Sequence, residues 1–474
     1  MTSNGHTLSS TSTISVLGDD PPRTHRINAN SFQQSALLTV NGWQYAAFYQ
    51  SKDGDNGSSI CHPTLARRAL CDPPGGEDGT WEYLVFDDYE QTSDDGHNTI
   101  SIGICAGDGT IHVSYDHHCE PLRYRFSTKG LATSPQDYVW EKSLFTKTAD
   151  TLPGLPHSNI MDEVSYPRFV TVNGDMLLTY RIGQFVLPSP NPAGSGSDVL
   201  YVYSSATHAY TALGTLLTGA GNSPYINGLD HDARRNLLHV SWTYRRFVAY
   251  EGVDDPASTA HKAQAGPNGP ENNYDLCYAW SADGGRVWRG EGGGKAGERA
   301  IALADLGAGE TVRPGCEGIR AFEIPMGSGI LNQEGQCVAL DGGFYVLNRE
   351  RWEGVERWMV YWREAEGSWK RNAIDGFLPT ETGSRGSICA DRYSNVYAIL
   401  PGNNDSSLSI VRASKAEEDL RFETVWRQDG FDGEPLVDQA KMDERGIISI
   451  FTRTDKGADG KRKVVVIDVD LGDR

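Results

Sequence analysis

The sequence predicts an all-β fold, a seven-bladed β-propeller with four-stranded antiparallel blades. The 474 residues include 53 glycines, and they lack long segments with the 3.6-residue period of a helix. Instead, one unit recurs seven times: a turn with Gly, Asp or Asn, followed by a short alternating strand. Most copies lie about 50–70 residues apart, the scale of one propeller blade. A propeller also leaves few exposed sheet edges, because its blades repeat around a ring.

The recurring unit is expected to form the second strand of each blade, with the first strand before it and the third after it. The fourth strand often carries a tryptophan, as at Trp140, Trp288, Trp369 and Trp426. Residues 281–288 (SADGGRVW) have the form of an Asp-box, a turn between the third and fourth strands of many blades. The seven copies are Asn41–Tyr49, Asp108–Tyr115, Asn173–Tyr180, Arg235–Trp242, Gly342–Leu347, Ser394–Leu400 and Arg445–Phe451.

We expect residues 1–25 to form a flexible arm and residues 26–474 to form a single catalytic propeller domain. The start of the chain is rich in Ser, Thr and Gly. The interval between the fourth and fifth copies is longer than the others, and its excess is Gly/Pro/polar sequence. We interpret Glu251–Asn272 and Gly290–Pro325 as loop insertions rather than an eighth blade.

The composition excludes several classes of function. The net charge of −20 argues against nucleic-acid or anionic-membrane binding, which need a basic surface. No apolar run approaches the ~18 residues of a membrane-spanning helix, and the first twenty residues lack the pattern of a secretory signal. Eight cysteines are too few for a disulfide scaffold, although Cys61 and Cys71 flank a loop and can pair in a secreted protein.

Propeller topology predicts where functional side chains collect. Neighbouring strands are antiparallel, so the start of each first strand lies beside the end of the second, at one mouth of the ring. That mouth is predicted to be rich in His, Tyr and Arg and poor in Asp and Glu. The first-strand starts supply His97, Asn98, Tyr166, Arg168, Tyr225, Asn332, Gln333 and Arg385, and the second-strand ends supply His117, His118, Arg181, Arg245, Arg246 and Arg349.

His97 and His118 are the strongest candidates for catalysis, because both fall at the same end of one small sheet. Residues 117 and 118 point opposite ways if they are extended, so only one of them needs to face the channel. The plain alternative is a pair of polar loop histidines. A metal site of His97, His117, His118 and Cys119 has less support, because the usual ligand spacing is missing.

Tyr166 and Arg181 begin one strand and end its partner, so they should face each other as His97 and His118 do. Cationic neighbours are expected to lower the pKa of the phenol, which suits proton transfer. Simple packing of Tyr166 and solvation of Arg181 are the alternatives. Glycosidases usually use two carboxylates, so this set favours another reaction, removal of a proton next to a carboxylate.

In a uronic acid, C5–H is the proton next to the carboxylate. An arginine that binds the carboxylate bidentately stabilises the enolate-like charge. A His or Tyr takes the proton and the 4-O-glycosyl group leaves, giving an unsaturated uronate. Either one residue acts as both base and acid, or a His and a Tyr divide the two roles.

A set of motifs across about residues 90–390 resembles the BNR-repeat polysaccharide lyases. This family includes ulvan lyases and the fungal L-rhamnose-α-1,4-D-glucuronate lyase that trims gum arabic side chains, and the latter is the nearer resemblance. Both kinds are propellers that cleave at uronates. The motifs are GHNTISIG, DGTIHVSYDHH, PLRYR, SYPRFV, SPYINGLD, LHVSWTYR, NQEGQ and the Asp-box.

The resemblance implies a carbon–oxygen lyase that cleaves polysaccharides. His97 and His118 would be catalytic, Tyr166 would be the acid or base, and Arg181 would neutralise the carboxylate. Substrate binding is expected at Asn98, His117, Arg168, Tyr225, Arg245, Gln333 and Arg385.

The implied substrate is an acidic polysaccharide or oligosaccharide that contains glucuronate. Rhamnosyl-glucuronate ends of gum arabic-type arabinogalactan are favoured over ulvan. The chemistry needs no cofactor, although some relatives carry a structural metal. We expect a monomer that binds neither nucleic acid nor membranes and that is secreted, as the family implies, or otherwise cytoplasmic. A sialidase-like hydrolase and a non-catalytic glycan-binding propeller are the two alternative functions.

Overall fold

The computed structural model describes residues 11–52, 59–72, 76–183, 194–251, 267–291, 302–305, 309–379, 383–415 and 420–472. Within these ranges the chain forms seven antiparallel sheets, the blades of the predicted seven-bladed β-propeller. The described residues also include one short α-helix and five 3-10 helices. None of the described helices has the length and apolar character needed to span a bilayer.

The first part of the chain supplies the first three blades and one strand of the seventh. Blade one has the order β2-β3-β4-β5, blade two β6-β7-β9 and blade three β8-β10-β11-β12-β13. In chain order, the strands are β1 (Thr11–Asp19), β2 (Leu37–Val40), β3 (Trp43–Ser51), β4 (Cys61–Ala69), β5 (Glu82–Val85), β6 (Ile100–Ile104), β7 (Ile111–Tyr115), β8 (His118–Glu120), β9 (Tyr124–Phe126), β10 (Val164–Val172), β11 (Asp175–Ile182), β12 (Ser197–Ser204) and β13 (Ala209–Thr218).

The second part supplies blades four to seven, with orders β14-β15-β16-β17-β18, β20-β21-β22-β23, β24-β25-β26-β27 and β28-β29-β30-β1. The helix α1 (Gln439–Arg445) follows β28. The strands are β14 (Asn222–Asp232), β15 (Leu237–Arg246), β16 (Asn273–Ser281), β17 (Val287–Arg289), β18 (Ala302–Asp305), β19 (Arg320–Phe322), β20 (Gly335–Val338), β21 (Phe344–Trp352), β22 (Val355–Arg363), β23 (Lys370–Ala373), β24 (Ser387–Ala390), β25 (Val396–Pro401), β26 (Ser407–Ala413), β27 (Phe422–Asp429), β28 (Leu436–Val437), β29 (Ile447–Arg453) and β30 (Lys463–Asp470).

All seven predicted second strands are confirmed, as β3, β7, β11, β15, β21, β25 and β29. Two of the turns before them are Asn-Gly pairs, at residues 41–42 and 173–174. Both residues of each pair have positive φ, 50° and 73° in the first turn and 50° and 89° in the second. This is the backbone of the tight hairpin turn that Asn-Gly favours.

The hydrophobic core is divided into seven clusters, and each cluster lies between two adjacent blades. Trp242 and Trp288 of blade four pack against blade three, and Trp358 of blade five packs against blade six. All three are fully buried. The first strands surround a central cavity of about 470 Å³, and α1 contributes to its wall.

The N-terminal strand corrects the prediction of a flexible arm over residues 1–25. Thr11–Asp19 forms β1 and pairs with β30, so that the start of the chain supplies the fourth strand of the last blade. The ring is also closed by side chains, because Arg68 of blade one binds Asp468 of blade seven at 2.5 Å. Residues 1–10 lie outside the described residues.

Blades two to four differ from the predicted four-stranded pattern. Blade two has three strands, blade three has five, and β19 adds to blade four by pairing with β16. The segment Gly290–Pro325 is therefore not only a loop insertion, because β18 and β19 lie in it. Most of Glu251–Asn272 lies outside the described residues.

The Asp-box lies where the sequence predicts it, between β16 and β17 of blade four. The Asp283 carboxylate accepts hydrogen bonds from the backbone N–H of Arg286 and Val287, and the Trp288 indole donates to the carbonyl of Gly285. All eight cysteines are free, so the pairing of Cys61 with Cys71 does not form in this structure.

Candidate active site

Side chains from successive blades converge at one mouth of the propeller. Ile100 at the start of β6 pairs with Tyr115 at the end of β7. In the same way, Val164 of β10 pairs with Ile182 of β11. The loops that lead into first strands and out of second strands therefore share one face, as the sequence predicts.

One carboxylate, that of Asp95, holds both predicted catalytic histidines. It lies in the turn before β6, where its Oδ1 accepts the backbone N–H of His97 at 3.0 Å. Asp favours such turns because its side chain binds the backbone two residues further on. The Nδ1 atom of His97 lies 2.5 Å from Oδ1 of Asp95, and Nδ1 of His118 lies 2.7 Å from Oδ2.

The two imidazole rings stack on each other, with centroids 4.0 Å apart and planes 24° apart. An ionised carboxylate only accepts hydrogen bonds, so each Nδ1 carries a proton. Each Nε2 then keeps its lone pair while its ring is neutral, and it can act as a base. Burial opposes ionisation of Asp95, but hydrogen bonds from His118 and His97 outweigh it and hold the pKa of Asp95 well below its ordinary value.

His118 reaches the site because the chain leaves blade two after β7. Asp116 and Cys119 have positive φ of 64° and 56°, which turn the backbone. The short strand β8 then pairs with β10 of blade three, where His118 lies opposite Ser165. His118 is thus placed between the two blades.

His117 points the other way, into the interior, so the structure does not bring it to the mouth with the other predicted substrate-binding residues. Its side chain is 1% exposed, and its Nε2 accepts the backbone N–H of Arg123 at 2.8 Å. Burial, and then the charge of Arg123, lower the pKa of His117 well below its ordinary value. It is a neutral residue that supports the loop behind the mouth.

Tyr166 lies at a bulge in β10, where the register with β11 shifts between Ser165 and Arg168. Its φ of 55° is in the left-handed region, which is strained for an aromatic residue. The bulge turns the ring toward the histidines, with centroids 6.0 Å from His97 and 6.4 Å from His118.

The pKa of Tyr166 is raised, not lowered as the sequence led us to expect. Desolvation of the phenol, and then the neighbouring Tyr225, raise the pKa. The charges of Arg181 and Arg245 offset this only in part. The Tyr166 hydroxyl therefore stays protonated at neutral pH, which suits an acid more than a base.

Arg181 occupies a position that glycines leave open. Its side chain is nearly buried, its Nη2 donates to Oγ of Ser223 at 2.9 Å, and its Cζ lies 4.6 Å from the centroid of the Tyr225 ring. A Cβ atom at residue 196 would lie 2.3 Å from Nη2 of Arg181, and one at residue 183 would lie 2.6 Å from Nη1. Gly183 and Gly196 therefore permit the guanidinium to sit where it does.

Arg245 and Arg168 extend the positive side of the site. The Cζ of Arg245 lies 4.5 Å from the centroid of Tyr225, whose hydroxyl accepts a hydrogen bond from Arg245. Arg168 donates from Nη2 to the carbonyl of Asn227 at 3.3 Å. Burial lowers the pKa of Arg168 to about 10, which leaves the group charged at neutral pH.

Asn98 and Gln333 each present an oxygen without a hydrogen-bond partner among the described residues. Nδ2 of Asn98 donates to Asp116 at 2.7 Å, but Oδ1 of Asn98 is buried and unpaired. Oε1 of Gln333 is also buried and unpaired, and the φ of this residue is 55°. Both residues lie at the mouth as predicted.

The mouth is not poor in acidic groups, which corrects another expectation. Glu334 binds Arg349 at 2.8 Å, and Glu434 lies 3.7 Å from Arg385. Arg385 also donates to the carbonyl of Asn332 at 2.7 Å. Arg349 and Arg385 thus have acidic partners, whereas Arg168, Arg181 and Arg245 form no ion pair with any described residue.

Phe32 is a site residue that the sequence reasoning missed. Its ring stacks on His97, with centroids 4.7 Å apart, and lies 5.3 Å from the ring of Tyr166. Arg385 covers the ring at 4.8 Å. Phe32 thus fixes the plane of His97.

Asp95 and Asp198 were missed as well. The rule that loops into first strands reach the mouth would have found Phe32, which precedes β2, and Asp95, which precedes β6. Asp198 begins a third strand, and only its pairing with Arg181 across β11 and β12 brings it to the site.

Asp95, His97 and His118 form the one group of three possible metal ligands among the described residues. Their donor atoms are 2.5 and 2.7 Å apart, which are hydrogen-bond distances. Ligand atoms about 2.0–2.2 Å from a tetrahedral zinc ion lie more than about 3 Å from each other. The Nδ1 atoms and the Asp95 oxygens are therefore hydrogen-bond partners of one another and do not surround a common zinc ion.

Comparisons with solved structures give a likeness of fold. Polysaccharide lyase Uly1 is similar over 93% of this chain and 90% of its own, with a TM-score of 0.64 and 16% identity. An ulvan lyase is similar over 95% of both chains, with a TM-score of 0.60 and 13% identity. The structure of an ulvan lyase bound to -[GlcA(1-4)Rha3S]- gives a TM-score of 0.59 over the same shares, also at 13% identity. No curated protein matches this chain.

A family model described as a BNR repeat-containing family member matches residues 43–376. This range is well over half of the 474 residues and includes blades two to five and all of blade one except β2. It contains the histidine pair, Tyr166 and Arg181. The chain therefore belongs to the BNR repeat-containing family.

Proposed function

We propose that this protein is a polysaccharide lyase that cleaves the 4-O-glycosidic bond to a glucuronate by β-elimination. The observation that carries this proposal is the Asp95 carboxylate with its two histidines, which lie beside a protonated tyrosine and next to buried arginines. The set supplies a base, an acid and a positive site for a carboxylate in one place.

Arg181 binds the carboxylate of the uronate. Its guanidinium is held on the ring of Tyr225, and it keeps its charge because its pKa remains high. As C5 loses its proton, negative charge moves onto the carboxylate, and a fixed guanidinium stabilises it. Arg245 lies on the same ring and adds positive charge.

One imidazole takes the C5 proton at Nε2. The Asp95 carboxylate then stabilises the imidazolium that forms, as it binds the Nδ1–H. The electrons of the C5–H bond form the C4–C5 double bond, and the bond from C4 to the glycosyl oxygen breaks. Tyr166 gives its hydroxyl proton to that oxygen, because its raised pKa keeps the proton available.

In D-glucuronate, H5 and O4 lie on the same face of the ring, so base and acid must approach from one side. The ring of Tyr166 is 6.0 Å from His97 and 6.4 Å from His118, which supports such a division of roles. Besides burial, the pKa of Tyr166 is shifted by Tyr225, Arg181, Arg245 and Cys119, and none of these is a carboxylate. A sialidase-like hydrolase instead pairs its tyrosine with a glutamate.

The proposed substrate is a rhamnosyl-glucuronate end of a gum arabic-type arabinogalactan, and the motif resemblance supports it. Ulvan is the second candidate, because a similar solved structure is an ulvan lyase bound to -[GlcA(1-4)Rha3S]-. Both substrates place a rhamnose next to a glucuronate, so the same arginines and histidines suit either one.

The test is incubation with gum arabic and with ulvan, followed by ultraviolet absorbance and identification of the released sugars. Elimination gives absorbance from a C4–C5 double bond, and free L-rhamnose from gum arabic identifies the favoured substrate. Reducing sugar without new absorbance means hydrolysis and refutes the proposal. Saturable binding of the polysaccharide with no product means a glycan-binding propeller and refutes it too.

A further inference from the structure

A small polar pocket lies behind Arg181. It has a volume of about 10 Å³, the space of one water molecule, and it is lined by Tyr166, Arg168, Thr179, Arg181, Asp198 and Gln333, among others. Several buried atoms there have no hydrogen-bond partner among the described residues. They are Thr179 Oγ1, Arg181 Nε, Asp198 Oδ2 and Gln333 Oε1.

Asp198 is the unusual member of this group. Its side chain is almost fully buried at the start of β12, opposite Arg181 in β11. Its carboxyl group makes no hydrogen bond or ion pair with any described residue. A buried carboxylate without hydrogen bonds is costly, so such a group tends to hold a proton instead.

We infer that Asp198 controls the affinity of the site for a uronate, because it takes up a proton when the substrate carboxylate binds to Arg181. Asp198 does not touch the substrate in this account, so it is a positioning residue that acts through Arg181. The inference rests on the proposed function, since it takes the carboxylate of a uronate as the ligand of Arg181.

Charged and titratable side chains surround Asp198 on three of the neighbouring strands. Arg168 and Tyr166 lie on β10, Arg181 on β11 and Tyr225 on β14, whereas its partner on β13 is the apolar Leu217. Burial raises the pKa of Asp198 to about 7, and the charges of Arg181 and then Arg168 offset part of this effect.

The sign of the linkage follows from these charges. With Asp198 ionised, Arg181 already faces a negative group, and a second carboxylate is repelled. With Asp198 protonated, Arg181 can attract the uronate fully. Binding of the uronate carboxylate therefore raises the pKa of Asp198, and the complex holds more protons than the free protein and the free uronate together. Affinity therefore rises as the pH falls through about 7.

The first experiment is calorimetry of the wild-type protein with sodium D-glucuronate in two buffers of different ionisation enthalpy. At pH 7 we expect an uptake of about half a proton per bound uronate, because Asp198 starts about half protonated. We also expect the affinity for D-glucuronate to fall about tenfold between pH 6 and pH 8, because the ionised Asp198 then repels the uronate carboxylate in a partly buried site.

Asp198→Asn keeps the shape of the side chain and removes the charge. It should abolish the proton uptake and make the affinity for D-glucuronate independent of pH in this window. Asp405→Asn is the matched control, because it removes an Asp that binds Arg427 at the surface of blade six. The control should keep the wild-type uptake and pH dependence.

Binding of D-glucuronate without proton uptake in the wild-type protein would overturn this inference and leave the proposed lyase standing. Proton uptake that persists in Asp198→Asn would overturn it as well. If proton uptake depends on Asp198 but the protein never forms a double bond, the role of Asp198 is supported and the lyase reaction is refuted. The absence of D-glucuronate binding at any pH would overturn it whatever the turnover.

A second measurement needs no sugar. The pKa of Asp198 is raised in the folded protein above its value of about 3.9 in the unfolded chain, so ionisation destabilises the fold as pH rises toward 7. Asp198→Asn should therefore raise the melting temperature at pH 8 and change it little at pH 4. An equal effect at both pH values would contradict the protonation of Asp198.

Discussion

Asp95→Asn is the sharpest test of the proposed site. The carboxylate accepts Nδ1–H from His97 at 2.5 Å and from His118 at 2.7 Å. An asparagine offers one oxygen and one NH2 group, so it can accept from only one ring. The NH2 group must face the other Nδ1 as a donor, and that ring must then move its proton to Nε2. One imidazole thus loses its lone pair at the reacting atom.

The size of the effect follows from the bonds that are lost. A hydrogen bond to a charged group contributes about 1.5–3 kcal/mol. The variant removes the negative charge that accepts the hydrogen bonds from His97 and His118. A loss of about 3 kcal/mol in the transition state lowers kcat about 150-fold. KM should change little, because the carboxylate of the substrate binds to Arg181 and not to Asp95.

The assay is the initial rate of double-bond absorbance with gum arabic, or with ulvan if that is the better substrate. Asp94→Asn is the matched control, since the neighbouring carboxylate binds the backbone of Thr24 and His25 at 2.9 Å outside the histidine pair. A kcat of Asp95→Asn within about threefold of the wild type, in a protein with wild-type melting, would refute the role of Asp95.

The acid stability of the same carboxylate gives a second readout. Its pKa is lowered in the folded protein, since the hydrogen bonds from the histidines outweigh its burial. The stabilisation is therefore present above the unfolded pKa of about 3.9 and is lost as pH falls below it. Asp95→Asn should lower the melting temperature at pH 7, and the difference from the wild type should shrink in acid.

Three further predictions concern other parts of the molecule. Arg181→Lys should lose most activity, at least about tenfold in kcat/KM, because a point charge cannot make the planar two-bond contact with a carboxylate; wild-type rates would remove Arg181 from the mechanism. Tyr166→Phe should lower kcat about 100-fold or more and keep the melting temperature, and an unchanged kcat would assign the acid elsewhere. Deletion of residues 1–19 removes β1 from blade seven and should lower the melting temperature by more than about 5 °C, whereas a flexible arm would give no change.

Much of the fold can be predicted from the sequence, because the turn chemistry and the alternation of apolar residues are local. Asn-Gly turns before β3 and β11 fix where those strands begin. The count of blades follows from the number of such units. The same local reasoning missed that Thr11–Asp19 completes the last blade, because the partner strand lies more than 400 residues away in the chain.

The sequence was enough to predict that His97, His118, Tyr166 and Arg181 reach one mouth, since strand direction alone decides which loop faces which side. The three-dimensional packing was needed to show that Asp95 joins the two histidines and that His117 turns into the interior. It was also needed to show that Asp198 lies behind Arg181 without a hydrogen bond to any described residue. These features depend on a bulge, on positive φ angles and on a strand that crosses to the next blade. Burial and charge act through space between blades, and no pattern along the chain reports the distances that set them.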